Sequence, residues 1–166
     1  MNDPLSNLPY RPCVGIMMVN AAGLAFVGQR IDTRGQPDEG GIYWQMPQGG
    51  VDEGEDLRAA ALRELWEETG VEDRHVTLIA QTADELLYDL PDDLIGKLWK
   101  GKYRGQRQHW FLARFAGDEA DIHLARHDPP EFSQWQWTQP EELPDLIVPF
   151  KKRVYRAVLD EFRDLI

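Results

Sequence analysis

The stretch that most constrains this chain is residues 49–71, GGVDEGEDLRAAALRELWEETGV. Two glycines open it, Gly70 closes it, and between them runs a block rich in Leu, Ala, Glu and Arg, all strong helix formers. Gly70 falls where a left-handed cap would end the last turn. The acidic Glu55 stands at the start, where it suits the positive end of a helix dipole. A helix is therefore expected over 56–69. On it Glu64, Glu67 and Glu68 stand at i, i+3 and i+4 and share a face. At roughly 100° per residue, Leu57 and Ala61 lie near the meridian of Glu64 and Glu68. That face is apolar at its start and anionic at its end. Carboxylates crowded at a core edge repel one another and lose hydration unless a cation neutralises them. Hard oxygen ligands of this kind suit Mg²⁺ or Mn²⁺. The alternative for any glutamate-rich helix is a solvated face. His123 and His127 are four apart, but they lie in a Pro-rich loop with no Cys beside them and offer no competing metal site.

The chain has 166 residues, 42% of them hydrophobic, which fits one folded domain over 1–166 with its core at about 9–163. No apolar run approaches the ~20 residues of a membrane span, and the first dozen residues lack the blocks of a signal peptide. The one cysteine, Cys13, lies in an apolar run and is expected in the core; a reducing, cytoplasmic setting follows from its solitude. Net charge is −11, which disfavours binding to a DNA duplex. The basic residues are clustered, however, at 97–107 and 151–156, and local positive patches on an acidic body suit a compact anion.

Along the chain, strands are expected at 13–19 and 24–30 as a hairpin, at 43–46, 75–82, 85–90, 108–115 and 132–138. Residues 32–41 and 117–131 read as loops, 91–105 as a polar, basic connection with one helical turn, and 140–143 as a turn. Pro149 opens a last helix in the favoured first position. Phe150, Val154, Val158 and Phe162 recur every fourth residue along it, so one face packs on the body. The order of strands and helices gives a mixed sheet between helical layers, an α/β fold.

Residues 49–71 also satisfy the pattern G-x5-E-x7-R-E-U-x-E-E-x-G-U, with U a bulky aliphatic residue. All nine specified positions are met, by Gly49, Glu55, Arg63, Glu64, Leu65, Glu67, Glu68, Gly70 and Val71. This resembles the Nudix box, the signature of hydrolases that cut nucleoside diphosphates linked to another group. Outside the box, Tyr10-Arg11-Pro12, the run WQMPQGG at 44–50, GQRQHWF at 105–111, Pro130-Glu131-Phe132 and FKKRVY at 150–155 occur in an order similar to that of bacterial dinucleoside polyphosphate hydrolases and RNA pyrophosphohydrolases.

That resemblance implies an α/β/α sandwich with a mixed β-sheet between helices. It implies metal ligands at Glu64, Glu67 and Glu68, at the Gln48 carbonyl and at Glu131, holding two or more Mg²⁺ or Mn²⁺ ions. Arg63 and Glu55 match a bracing salt bridge. Arg63, Glu64 and Glu67 form the expected catalytic set, with Glu64 as general base and Glu67 or a loop glutamate as the alternative. On the substrate side, Arg30, Arg104 and Lys151 match phosphate-holding positions, Tyr88 and Phe150 match rings that sandwich a purine, and Gln106 and His109 complete the set. Lys151 has separate support, since basic residues at a helix start oppose its dipole unless an anion sits there. His109 replaces the lysine often found in the family, which exchanges a fixed charge for one that depends on pH. The loop at 32–41 is longer than in the shorter RNA-acting members, which would alter the substrate mouth. The expected reaction is in-line attack of water on phosphorus. The substrate is a dinucleoside polyphosphate such as diadenosine tetraphosphate, toward which Lys102-Tyr103-Arg104-Gly105-Gln106 leans, or the triphosphate 5′ end of RNA. Alternatives are a hydrolase of damaged nucleoside triphosphates and a non-catalytic nucleotide-binding module.

Overall fold

The computed structural model describes residues 7–32, 42–96 and 98–166. Its centre is a parallel pair of strands, β1 (Tyr10–Val19) and β7 (Gly105–Phe115), in register from Tyr10 opposite Gly105 to Val19 opposite Arg114. Both start three residues earlier than their apolar runs suggest. Tyr10-Arg11-Pro12 and Gly105-Gln106-Arg107 pair with each other through backbone groups, which need no apolar side chain.

β5 (Val76–Gln81) and β6 (Leu86–Asp89) add antiparallel to successive halves of β7. On the other side, β2 (Ala25–Arg30) carries β3 (Trp44–Gln45) and β8 (Phe132–Thr138), both antiparallel. The expected hairpin of the first two strands is nearly absent, because β1 and β2 are in register only at Val19 opposite Ala25. The rest of the edge of β1 is taken by β4 (Gln48–Gly50), which pairs with Cys13, Val14 and Gly15. The sheet thus opens where the glycine-rich segment enters, and the box is threaded into that opening.

Alternation along the central strands sends side chains to two faces. Val14, Ile16, Met18, Phe111 and Ala113 pack with Ala60, Ala61 and Leu65 of α1 (Leu57–Thr69). Met17, Val19, Trp110 and Leu112 pack with Val154, Tyr155, Val158 and Phe162 of α3 (Lys152–Phe162). A helix on each face of a mixed sheet is the α/β/α sandwich expected from the sequence. Cys13 is buried, as expected. The expected turn at 140–143 is a 3-10 turn over Pro140–Glu142, and a short helix, α2 (Leu143–Leu146), follows it and leads into α3. Among the described residues no helix is long and apolar enough to cross a membrane.

α1 ends within one residue of its expected bounds because its caps are written in the sequence. The Asp56 side chain accepts the Ala59 N–H at 3.1 Å, and Gly70 adopts φ 74° while its N–H donates to the Trp66 carbonyl. α3 departs from expectation. Pro149–Lys151 form a single 3-10 turn, and Lys151, at φ −101° and ψ −2°, stands before the α-helix proper rather than within its first turn. Lys152 and Arg153 turn to Asp145 and to the Leu87 carbonyl, while Lys151 is buried. Gly70→Ala is expected to cost about 1–3 kcal/mol, through its left-handed backbone and a methyl forced against the His123 carbonyl. Urea denaturation, read as a lower midpoint at constant slope, measures it.

Candidate active site

The C-terminal half of α1, the segment 48–50, the end of β2, the start of β7 and the turn before α3 surround one open cavity of about 1170 Å³. Arg63 organises its acidic side. Its Nε and Nη2 each donate to Glu55 at 2.8 Å, Nη2 also donates to the Gly50 carbonyl at 2.8 Å, and Nη1 donates to Glu64 at 2.8 Å and Glu67 at 3.3 Å. One guanidinium therefore ties the box loop to the helix and holds two of its glutamates. Arg63 in turn holds the Glu55 carboxyl down at about 2.

Glu64, Glu67 and Glu68 all line the cavity, and Glu131 joins them from the loop before β8. Burial pushes Glu64 up to about 7, with the charge of Glu67 adding to the shift. Glu68 is raised well above the usual carboxylate range, by burial first and then by the charges of Glu64 and Glu131; the Gln48 N–H, donating at 3.1 Å, opposes this. Gly49 lies directly against the Glu64 carboxyl, where a methyl group would displace it. Among the described residues no three carboxylate or imidazole groups form a closed metal cage. The acids instead take up donors already present, Arg63 and the Gln48 backbone. Even so, the charge of Glu67 raises the proton affinity of Glu64, the charges of Glu64 and Glu131 raise that of Glu68, and this hard-oxygen set fits a divalent cation.

The opposite side is cationic. Arg30, Arg11 and Lys151 line the cavity. The buried Nε of Arg30 has no hydrogen-bond partner among the described residues. Burial brings the Lys151 ammonium down to about 7, and the charge of Arg30 adds to this. Arg11 was quoted in the sequence motif but not singled out as a site residue. Its guanidinium sits 5.7 Å from the Trp99 ring centroid, and a methyl at Gly50 would meet it. Nor was the wall formed by Asp93, Leu94, Leu98, Trp99 and Lys100 foreseen. Trp99 and Lys100 both hold left-handed backbone, φ 52° and 58°, which no periodicity signals.

Of the expected substrate residues, Arg30, Tyr88, Gln106, Phe150 and Lys151 line the cavity and two do not. Arg104 donates to Asp89 at 2.7 Å and lies over the Tyr10 ring. His109 points to the α1 face of β7, with Nε2 3.4 Å from Glu85. Gln106 and His109, three residues apart on one strand, project to opposite faces. The purine sandwich is also not formed. Tyr88 and Phe150 pack on each other, with centroids 5.8 Å apart and planes at 46°, whereas an inserted base needs parallel rings and room between them. Phe150 is half-buried, with Lys151 Nζ 5.9 Å from its ring centroid, and Tyr88 is buried. Residues 33–41, most of the loop expected to shape the mouth, lie outside the described residues.

A glutamate cluster clamped by one arginine, opposite a basic wall, suits an anionic phosphate chain with its cation. The NUDIX domain model matches residues 9–158. The chain belongs to the Nudix family. It is a hydrolase that acts on pyrophosphate bonds, with the α/β fold of that family. It is 66% identical to a protein of Novosphingobium aromaticivorans named RNA pyrophosphohydrolase, over all of both chains. It is 57% identical to one of the same name in Erythrobacter litoralis, covering 96% of this chain and 94% of the relative. A solved binary complex of the C. elegans Ap4A hydrolase superposes with a TM-score of 0.61 at 22% identity, covering 92% of this chain and 99% of the other. The E. coli dihydroneopterin triphosphate pyrophosphohydrolase gives 0.65 at 20% identity, covering 89% and 94%. These two likenesses concern the fold. Nudix hydrolases generally use divalent metals such as Mg²⁺.

The raised acids and the lowered lysine carry opposite consequences for stability. Glu64 binds more protons folded than unfolded between about pH 4.5 and 7, so its contribution falls as pH rises through that window. Lys151 binds fewer protons folded than unfolded between about pH 7 and 10.5, so its contribution rises there. Without divalent ions, the urea midpoint is expected to fall from about pH 5 to about pH 7, and to fall less in Glu64→Gln. Mg²⁺ is expected to raise it most near neutrality. As a second expectation, Arg104→Ala and His109→Lys leave the Michaelis constant within about twofold of the parent, read by steady-state phosphate release.

Proposed function

We propose that this Nudix hydrolase removes pyrophosphate from the triphosphate 5′ end of RNA, with dinucleoside polyphosphates as secondary substrates. The supporting observation is the 66% identity, over the full length of both chains, to a protein named for that activity. The lean toward dinucleotides rested on the segment 102–106, and Arg104 within it is engaged with Asp89 and Tyr10 rather than with the cavity. A cytoplasmic setting belongs to the same proposal.

In this reading Glu64, Glu67, Glu68, the Gln48 carbonyl and Glu131 would hold two or more Mg²⁺ or Mn²⁺ ions. When bound, those ions would lower the pKa of a water and offset phosphate charge. Arg63 keeps Glu64 and Glu67 turned to the cavity. Glu64 serves as general base, taking the proton of the attacking water, and its burial raises its proton affinity. Arg30, Arg11 and Lys151 hold the phosphates that flank the broken anhydride. Phosphate charge beside Lys151 raises its pKa, so binding restores its ammonium. Phe150, the less buried of the two rings, stacks on one base.

A side-by-side assay with triphosphate-ended RNA and diadenosine tetraphosphate, products resolved by mass, tests the assignment. The expected outcome is pyrophosphate and monophosphate-ended RNA at a kcat/KM at least tenfold above that for the dinucleotide. The reverse ratio would return the dinucleotide to first place, and turnover of neither would leave a binding module. Glu68→Gln is expected to lower kcat by about 10²-fold or more, in line with removal of a charge-stabilising group.

A further inference from the structure

The cavity floor carries a set of amides whose orientations are fixed by one another. Trp110 Nε1 donates to Gln108 Oε1 at 2.8 Å. An indole N–H only donates, so chemistry alone decides which end of the Gln108 amide is oxygen. The nitrogen end then faces the other way. It donates to Gln106 Oε1 at 2.7 Å and to Gln48 Oε1 at 3.0 Å, using both of its hydrogens. Those bonds in turn fix two more amides. The oxygens of Gln48 and Gln106 face Gln108, so their nitrogens face away from it. Both residues line the cavity, Gln106 at only 2% exposed, and Gln108, 1% exposed, does not. Among the described residues, no bond is made by either of these two NH₂ groups.

We propose that the Trp110–Gln108 hydrogen bond sets the polarity of a forked amide relay, which turns the NH₂ groups of Gln48 and Gln106 into the cavity as donors for phosphate oxygens. Gln108 and Trp110 are positioning residues that touch no substrate. The proposal deepens the reading of the cavity as a polyphosphate site and rests on it. An ionised phosphate only accepts hydrogen bonds, so amide orientation decides between attraction and repulsion. An isolated glutamine can swivel to meet either kind of partner. Here a swivel of Gln48 or Gln106 would set its NH₂ group against that of Gln108, and such a mismatch in a buried place is costly. The relay therefore selects acceptor-only ligands before any ligand arrives. It also joins the two sides of the site, since the backbone N–H of Gln48 donates to Glu68.

Inorganic tripolyphosphate, titrated without divalent ions into ¹⁵N-labelled protein, tests the relay independently of turnover. The side-chain NH₂ resonances of Gln48 and Gln106 are expected to shift with a common saturation curve. In Gln108→Glu, whose carboxylate would draw both nitrogens away from the cavity, they are expected not to respond. Kinetics give a second readout. Gln108→Met is expected to raise KM for triphosphate-ended RNA by roughly tenfold with kcat within about threefold, and to add little in a Gln106→Met background. Merely structural damage would instead lower the melting temperature and kcat together. If the two NH₂ groups in the parent protein ignore tripolyphosphate, or if Gln108→Met folds and keeps its KM within twofold, the relay is overturned while the pyrophosphohydrolase reading stands. If the parent releases no pyrophosphate from RNA, that reading fails first, and the resonance shifts still decide the relay. Should a variant fail to fold, the titration of the parent decides alone.

Discussion

Everything at this site depends on a single guanidinium holding apart groups that would otherwise repel. Arg63 binds Glu55 through two parallel bonds, fixes the Gly50 carbonyl, and still reaches Glu64 and Glu67. A lysine could not do this, because its ammonium lacks the planar fork that serves three directions. The consequence is geometric before it is electrostatic. Glu64 stands against Gly49 with no room for a side chain there, so loop and helix can meet only with glycine at that point. The glycine at this point of the motif thus follows from a loop that crosses the helix at Glu64.

The sheet supplies the other half of the constraint. β4 displaces β2 from the edge of β1, and this opening lets the box loop enter. The central pair is buried on both faces and carries no functional carboxylate. It acts as the rigid floor from which Gln106 and Gln108 project toward one face and His109 toward the other. Strand alternation explains why the same short segment, GQRQHW, contributes two glutamines to the site and leaves out its histidine.

What was legible in the sequence was whatever local chemistry writes down. The bounds of α1 follow from Asp56 and Gly70, the amphipathic face of α3 from its fourfold spacing, and the acidic cluster from i, i+3, i+4 geometry. What was not legible depended on distant pairing or unusual backbone. The early starts of β1 and β7 come from pairing with each other across the chain. Trp99 and Lys100 enter the wall only because two successive residues take left-handed backbone. Arg11 reaches the cavity because its strand begins early, and Lys151 turns inward because the helix does not begin with it. Arg104 lies outside the cavity lining for a related reason, since Asp89 and Tyr10 engage that side chain.

These departures share a pattern. The free site is unsatisfied on both walls. Burial and the charges of Glu64 and Glu131 raise the proton affinity of Glu68, the Arg30 Nε has no acceptor among the described residues, and burial beside Arg30 lowers the Lys151 pKa. The walls offset each other only in part: Arg30 lowers the Glu68 pKa and Glu68 raises that of Lys151, but burial outweighs both. A polyphosphate chain with its divalent cations supplies both missing charges, each on the required side. Local rules broken at one place in an otherwise consistent fold mark where binding energy is recovered. Here the acids, the cations and the orphaned donors all face the same cavity. The charge that opposes folding at this site is therefore the charge that selects its ligand.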